Sequence, residues 1–147
     1  MADRLAAKVR RSRFKPSVLI GVSRGGLVPV RILSDHLGIH NLGLMRVEFY
    51  TRPGQTAKKP RITQPVNVQV RGQRVLLVDD ISDSGKSLTA AIEHLRKRGA
   101  KEVRVATIHH RATSLVEPHF FVKTAPPDTW INYPWEHRET ERKLKQK

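Results

Sequence analysis

Thirteen consecutive residues, Val75-Leu-Leu-Val-Asp79-Asp80-Ile-Ser-Asp83-Ser84-Gly85-Lys86-Ser87, constrain the fold of this chain more than any other part. Val75 to Val78 is apolar without interruption, as a strand covered on both faces requires. Two adjacent carboxylates end that strand. The turn Ser84-Gly85-Lys86-Ser87 then opens a helix on which Leu88, Ala91, Ile92 and Leu95 recur at i, i+3, i+4 and i+7, and Gly99 closes it. Hydroxyls, a glycine that lets backbone N–H groups approach, and the positive end of the helix dipole all converge at this turn, so a phosphate fits there. Gly85-Lys86-Ser87 also matches the end of a Walker A loop, but that pattern needs a glycine where Asp80 stands, and an acid there repels a polyphosphate. The arrangement suits a ligand with vicinal hydroxyls beside one phosphate: the carboxylates accept hydrogen bonds from the diol while the turn holds the phosphate. The plainer alternative is a capped helix start with solvated acids.

The rest of the chain supplies a matching frame. Ser17 to Val22 is a short apolar run ending in Ser23-Arg24-Gly25-Gly26, after which Leu27, Val30, Leu33 and Leu37 recur at helical spacing until Gly38. Residues 42–50 and Val103 to Ile108 read as further strands. Between them, 51–64 carries two Pro, one Gly and four cations with little to bury, which predicts an exposed, mobile loop. Alternation of strand and helix predicts an α/β fold, a mainly parallel twisted sheet flanked by helices, with ligands at the carboxyl ends of the strands. A length of 147 residues predicts one domain spanning 1–147, its polar basic tail, 137–147, forming a short helix or fraying.

With these segments in view, Val75 to Ser87 resembles the phosphoribosyl-pyrophosphate (PRPP) binding motif of type I phosphoribosyltransferases. Ser23-Arg24-Gly25-Gly26 is similar to that family's pyrophosphate-binding loop, where a non-proline cis peptide often occurs. Asp128-Thr-Trp130-Ile131-Asn-Tyr-Pro-Trp135-Glu136 resembles the base-binding end of the compact bacterial xanthine-guanine and archaeal purine enzymes. The resemblance implies a purine phosphoribosyltransferase of nucleotide salvage. Such an enzyme moves the 5-phosphoribosyl group of PRPP to hypoxanthine, guanine or xanthine and releases pyrophosphate, with Mg²⁺ as cofactor. It assigns the ribose hydroxyls to Asp79 and Asp80, which also lie near the metal, and the 5′-phosphate to Asp83, Ser84, Gly85, Lys86 and Ser87. It makes Asp83 the acid/base at N7 of the purine, although an Asp in this position also serves as a helix N-cap. Trp130 stacks on the base, the main chain of Ile131 meets the exocyclic group, and Glu136 matches an acid on the second side of the metal. Where relatives place a Lys that reads the 6-oxo group this chain has Arg111, which leaves the preferred purine open. Residues 51–64 correspond to the hood that closes over PRPP, with Phe49-Tyr50 at its base where relatives have Ser-Tyr.

Charge bears on the competing interpretation. The formal net charge is +15, which on its own attracts any polyanion. Its distribution is uneven: +5 over residues 1–15, +1 over 16–45, +6 over 46–74, 0 over 75–136 and +3 over 137–147. A uniform nucleic-acid coat does not look like that, and the chain shows no recognition-helix pattern and few aromatics suited to stacking on single strands. The alternative is a PRPP- or nucleotide-sensing regulator of the same fold that binds RNA or DNA through its basic periphery. The absence of cysteine excludes a disulfide framework and a thiolate metal site. A cytoplasmic protein without membrane spans is expected, as is a homodimer or homotetramer, the state of relatives. His109 and His110 are adjacent on a strand and point to opposite faces, so they do not form a paired metal site.

Overall fold

The computed structural model describes residues 1–51, 53–54 and 58–146. Its elements run α1 (Ala2–Arg11), β1 (Val18–Ser23), α2 (Leu27–Leu37), β2 (Leu42–Tyr50), β3 (Lys59–Gln64), β4 (Arg74–Ser82), α3 (Lys86–Lys97), β5 (Glu102–His110), β6 (Phe120–Thr124), a 3₁₀ turn (Pro134–Glu136) and α4 (His137–Lys145). The six strands form one sheet in the order β3-β2-β1-β4-β5-β6. Every neighbouring pair is parallel except β2 with β3.

The apolar run at the start of β4 is explained by what covers it. Leu76 and Val78 face a core layer shared with Leu5 and Val9 of α1, Val30 and Leu33 of α2, and Phe14. Val75 and Leu77 face the opposite layer, shared with Leu88, Ala91 and Leu95 of α3. Leu19 faces the first layer, and its neighbours Val18 and Ile20 face the second. Alternate side chains of a central strand therefore both find apolar cover, and the period-two polar pattern of a one-sided sheet is absent.

Two segments differ from the sequence expectation. Residues 1–15, marked in the sequence only by their charge, hold the helix α1, which buries Leu5, Ala6 and Val9 while keeping its cations in water. The expected loop 51–64 is in part a strand. Lys59 to Gln64 pairs antiparallel with β2, Tyr50 opposite Lys59 and Val47 opposite Ile62. Ile62 packs on the α3-side core, and the strand's exposed polar remainder is normal for a sheet edge. Arg52 and residues 55–57 of the expected hood lie outside the described residues. The tail is α4, which buries none of its residues. Among the described residues no helix is long and apolar enough to cross a membrane.

β1 connects outward to β2, whereas β4 connects through α3 to β5 on its other side. The strand order thus reverses between β1 and β4. A crevice opens outside the carboxyl ends of strands at such a point, and the loops after β1 and β4 both lie there.

Candidate active site

The loop after β1 approaches the end of β4 as closely as backbone allows. The Ser23–Arg24 peptide is cis, as the family resemblance implied. A Cβ on Gly25 would lie 2.6 Å from the carboxylate atoms of Asp80, so only glycine fits beside that acid. Arg24 projects outward and pairs with Glu139 of α4. Gly26 caps the start of α2 beneath the crevice and does not line it.

At the end of β4, the Asp80 amide donates to Asp79 Oδ1 at 2.9 Å. Burial, then repulsion from Asp80, holds the Asp79 carboxyl well above the usual carboxylate range, and burial raises Asp80 as well. Glu136 is raised by burial and then by the charge of Asp80. Three acids crowded in this way fit a cation, and their hard oxygen donors fit Mg²⁺. Among the described residues no three such side chains form a preassembled metal cage. The fit is therefore to a Mg²⁺ held by one or two carboxylates together with substrate oxygens.

The next turn separates the two roles open to Asp83. The residue that caps α3 is Gly85, at φ 81°, and no side chain caps the helix there. Ser84 Oγ accepts from the Lys86 amide at 3.3 Å. Asp83, far from capping, gives its carboxylate to Arg111 Nε at 2.6 Å. The start of α3 thus keeps first-turn amides for an anion, beside the hydroxyls of Ser84 and Ser87. Lys86 is exposed and does not line the crevice.

Arg111 does more than pair with Asp83. Its guanidinium also donates to the carbonyls of Pro126 and, at 2.6 Å, of Thr129. It therefore ties Asp83 to the segment carrying Trp130. Trp130 stands 65% exposed at the crevice with Lys143 of α4 5.3 Å from its ring centre, while Ile131 packs on the core. His109 meets the Tyr133 hydroxyl, and His110 packs on Phe121 5.0 Å away, so the adjacent histidines diverge as their spacing required.

These parts enclose two adjoining cavities. One, of about 300 Å³, is lined by Arg24, Asp79, Asp80, Arg111, Trp130 and Glu136 among others. A second, of about 220 Å³, shares Asp79, Asp80 and Asp83 and continues to Ser84, Gly85 and Phe49. The site thus gathers the three sequence segments into one crevice, with acids at its centre and a phosphate-shaped helix start at one end. Sequence reasoning considered His109 only as a metal ligand, passed over Tyr133 within the segment Asp128–Glu136, and missed Glu139 and Lys143. Only the i, i+4 spacing of Glu139 and Lys143 signals anything in the sequence, and it signals a helix rather than a place in the fold.

Comparison with known proteins agrees with this geometry. The family model described as "Phosphoribosyl transferase domain" matches residues 1–141. Xanthine-guanine phosphoribosyltransferase of Idiomarina loihiensis is 30% identical over 118 residues, covering 80% of this chain and 70% of that protein. The crystal structure of a purine phosphoribosyltransferase from Pyrococcus horikoshii superposes with a TM-score of 0.80 at 40% identity, covering 91% of this chain and 85% of that one. A Neisseria gonorrhoeae protein solved with bound ppGpp has a TM-score of 0.80 at 29% identity, over 98% of this chain and 87% of that one. A helix dipole aimed beside paired acids, a glycine loop folded against them and a family match over nearly the whole length converge on one assignment: this chain belongs to the phosphoribosyltransferase family.

Proposed function

We propose that this chain transfers the 5-phosphoribosyl group of PRPP to a 6-oxopurine, giving the nucleoside 5′-monophosphate and pyrophosphate. The observation that carries the reading is the single crevice in which Arg24 and Gly25, the pair Asp79–Asp80, the residues Asp83, Ser84, Gly85 and Ser87, and Trp130 meet. The names of the Idiomarina and Pyrococcus relatives support the purine class.

In this reading the start of α3, with Ser84, Gly85, Lys86 and Ser87, holds the 5′-phosphate, and Asp79 and Asp80 accept hydrogen bonds from the ribose diol. The Ser23–Gly25 backbone and Arg24 receive the pyrophosphate. Asp79 and Asp80, together with Glu136, would hold Mg²⁺, which when bound would supply charge neutralisation for the departing pyrophosphate. A ring nitrogen of the base forms the new bond to C1 of the ribose as the bond from C1 to the pyrophosphate oxygen breaks, and the proton lost by the base passes to the Asp83 carboxylate. Arg111 holds that carboxylate in place. Three of the guanidinium's five N–H donors are engaged by protein, and the others are available to a 6-oxo group. Trp130 stacks on the base, and Ile131 offers its main chain to the exocyclic substituent. The Neisseria relative was solved with ppGpp bound, which supports guanine nucleotides as ligands to be tested on this chain as well.

Incubation with PRPP, Mg²⁺ and each of hypoxanthine, guanine, xanthine and adenine, with pyrophosphate release followed, tests the reading. Release with at least one 6-oxopurine and little with adenine is expected. No release with any base overturns it.

A further inference from the structure

We propose that Tyr133 is a positioning residue for the acidic pair: its one hydroxyl, shared with His109, fixes the main chain of Asp80 and ties it to the base-side segment. The inference rests on the phosphoribosyl transfer proposed above.

The geometry is a buried three-group chain. Tyr133 is 5% exposed, and His109 and Asp80 are each 7% exposed. The Tyr133 hydroxyl donates to the Asp80 carbonyl at 3.1 Å and lies 2.8 Å from His109 Nδ1. A hydroxyl has one proton. With that proton on the Asp80 carbonyl, the oxygen is an acceptor toward His109, which must carry its proton on Nδ1. The chain thus selects one imidazole tautomer and leaves none of the three groups without a partner.

On its β1 side Asp80 has no strand to hold it, although β5 stays paired beside β4 as far as Ser82. β1 pairs with β4 only as far as Gly21 opposite Val78, two residues before it. Side chains partner both main-chain polar groups of Asp80, Asp79 on the amide and Tyr133 on the carbonyl. Its carboxylate fills the space a Cβ on Gly25 would need, so a small shift of Asp80 alters the gap between the ribose acids and the pyrophosphate loop. The Tyr133 ring stacks on Trp135 at 4.9 Å and 10°. Tyr133→Phe keeps that stack and removes only the hydroxyl.

The expected result for Tyr133→Phe is a PRPP KM raised about five- to twentyfold, with purine KM within about twofold and kcat within about threefold of wild type. Calorimetry with Mg²⁺ and PRPP, in the absence of base, should show the same loss of affinity. In ¹⁵N-histidine NMR spectra, His109 should be the Nδ1–H tautomer in wild type and should change to Nε2–H in Tyr133→Phe. An unchanged PRPP KM overturns the proposal, and so do equal losses for PRPP and purine accompanied by a falling Tm, which mark a merely structural role. If Tyr133→Phe does not fold, a wild-type His109 carrying Nε2–H, or His109→Gln with an unchanged PRPP KM, overturns it. Failure of wild type to transfer phosphoribose removes the proposed function instead, while calorimetry and the tautomer still judge the anchor.

Discussion

Asp79, near the end of β4, and Asp83, just beyond that strand, stand four positions apart, yet their surroundings differ sharply. Asp83 is exposed and held by Arg111, and the proposed transfer has it take the proton that the base loses. Asp83→Asn should therefore lower kcat by about 10²- to 10⁴-fold while leaving PRPP affinity within about twofold. Steady-state kinetics with a separate PRPP binding isotherm checks this, and near-wild-type turnover would remove Asp83 from the chemistry. Asp79 is instead raised by burial and by its neighbour Asp80. Unfolded, its carboxyl titrates near about 4; folded, it titrates higher. Between those values the folded protein binds the extra proton, so this residue's contribution to stability is lost as pH rises through the window. Asp79→Asn should accordingly unfold at a higher Tm than wild type at neutral pH, with the advantage shrinking as pH falls toward 4. Its PRPP KM should rise at least about tenfold. Thermal melts of ligand-free protein across pH measure the first effect. A Tm difference that is constant with pH, or that grows as pH falls, would reject this account of the acid pair.

Elements whose character is written in local pattern were legible in the sequence, and those held by tertiary contact were not. β4 and α3 declare themselves because Val75 to Val78 must be covered on both faces and because Leu88, Ala91 and Leu95 share one helical stripe. The turn between them could be assigned to phosphate because its chemistry is local. β3 escaped notice because Lys59 to Gln64 contributes Ile62 alone to the α3-side core, and α1 because its buried Leu5, Ala6 and Val9 are outnumbered by cations. For α4 the sequence offered a short helix as one alternative but nothing of its position: it buries nothing, and its place comes from contacts across the crevice. Glu139 pairs with Arg24, Thr140 donates to Asn132 at 3.2 Å, and Lys143 lies over Trp130. Such exposed contacts are individually weak. One of them sets a carboxylate against the arginine proposed to receive pyrophosphate, so Glu139 and PRPP compete for Arg24. Glu139→Gln should lower the PRPP KM about two- to fivefold with kcat nearly unchanged. A KM that stays the same or rises would mean that Glu139 does not compete.

Across the whole molecule the charge of +15 surrounds a neutral block whose crevice is acidic at its centre. Arg24 and Lys143 of α4 stand beside that centre, and the cations of α1 add to the net field from elsewhere on the surface. PRPP is a dense polyanion, so it should be drawn from a distance by the net field and neutralised at close range only where Mg²⁺ offsets the acids. A purine base is neutral and feels little of that field. Salt distinguishes the two contributions, since the screening length contracts from about 30 Å at 0.01 M to about 8 Å at 0.15 M and about 3 Å at 1 M. Raising NaCl from about 0.02 to 0.5 M at fixed free Mg²⁺ should therefore lower kcat/KM for PRPP several-fold and leave kcat/KM for the purine nearly level. If both parameters fell together, salt would be acting on the fold or on the chemical step. If neither moved, the basic periphery would have no part in substrate capture, and its cations would have to be explained by another polyanionic partner.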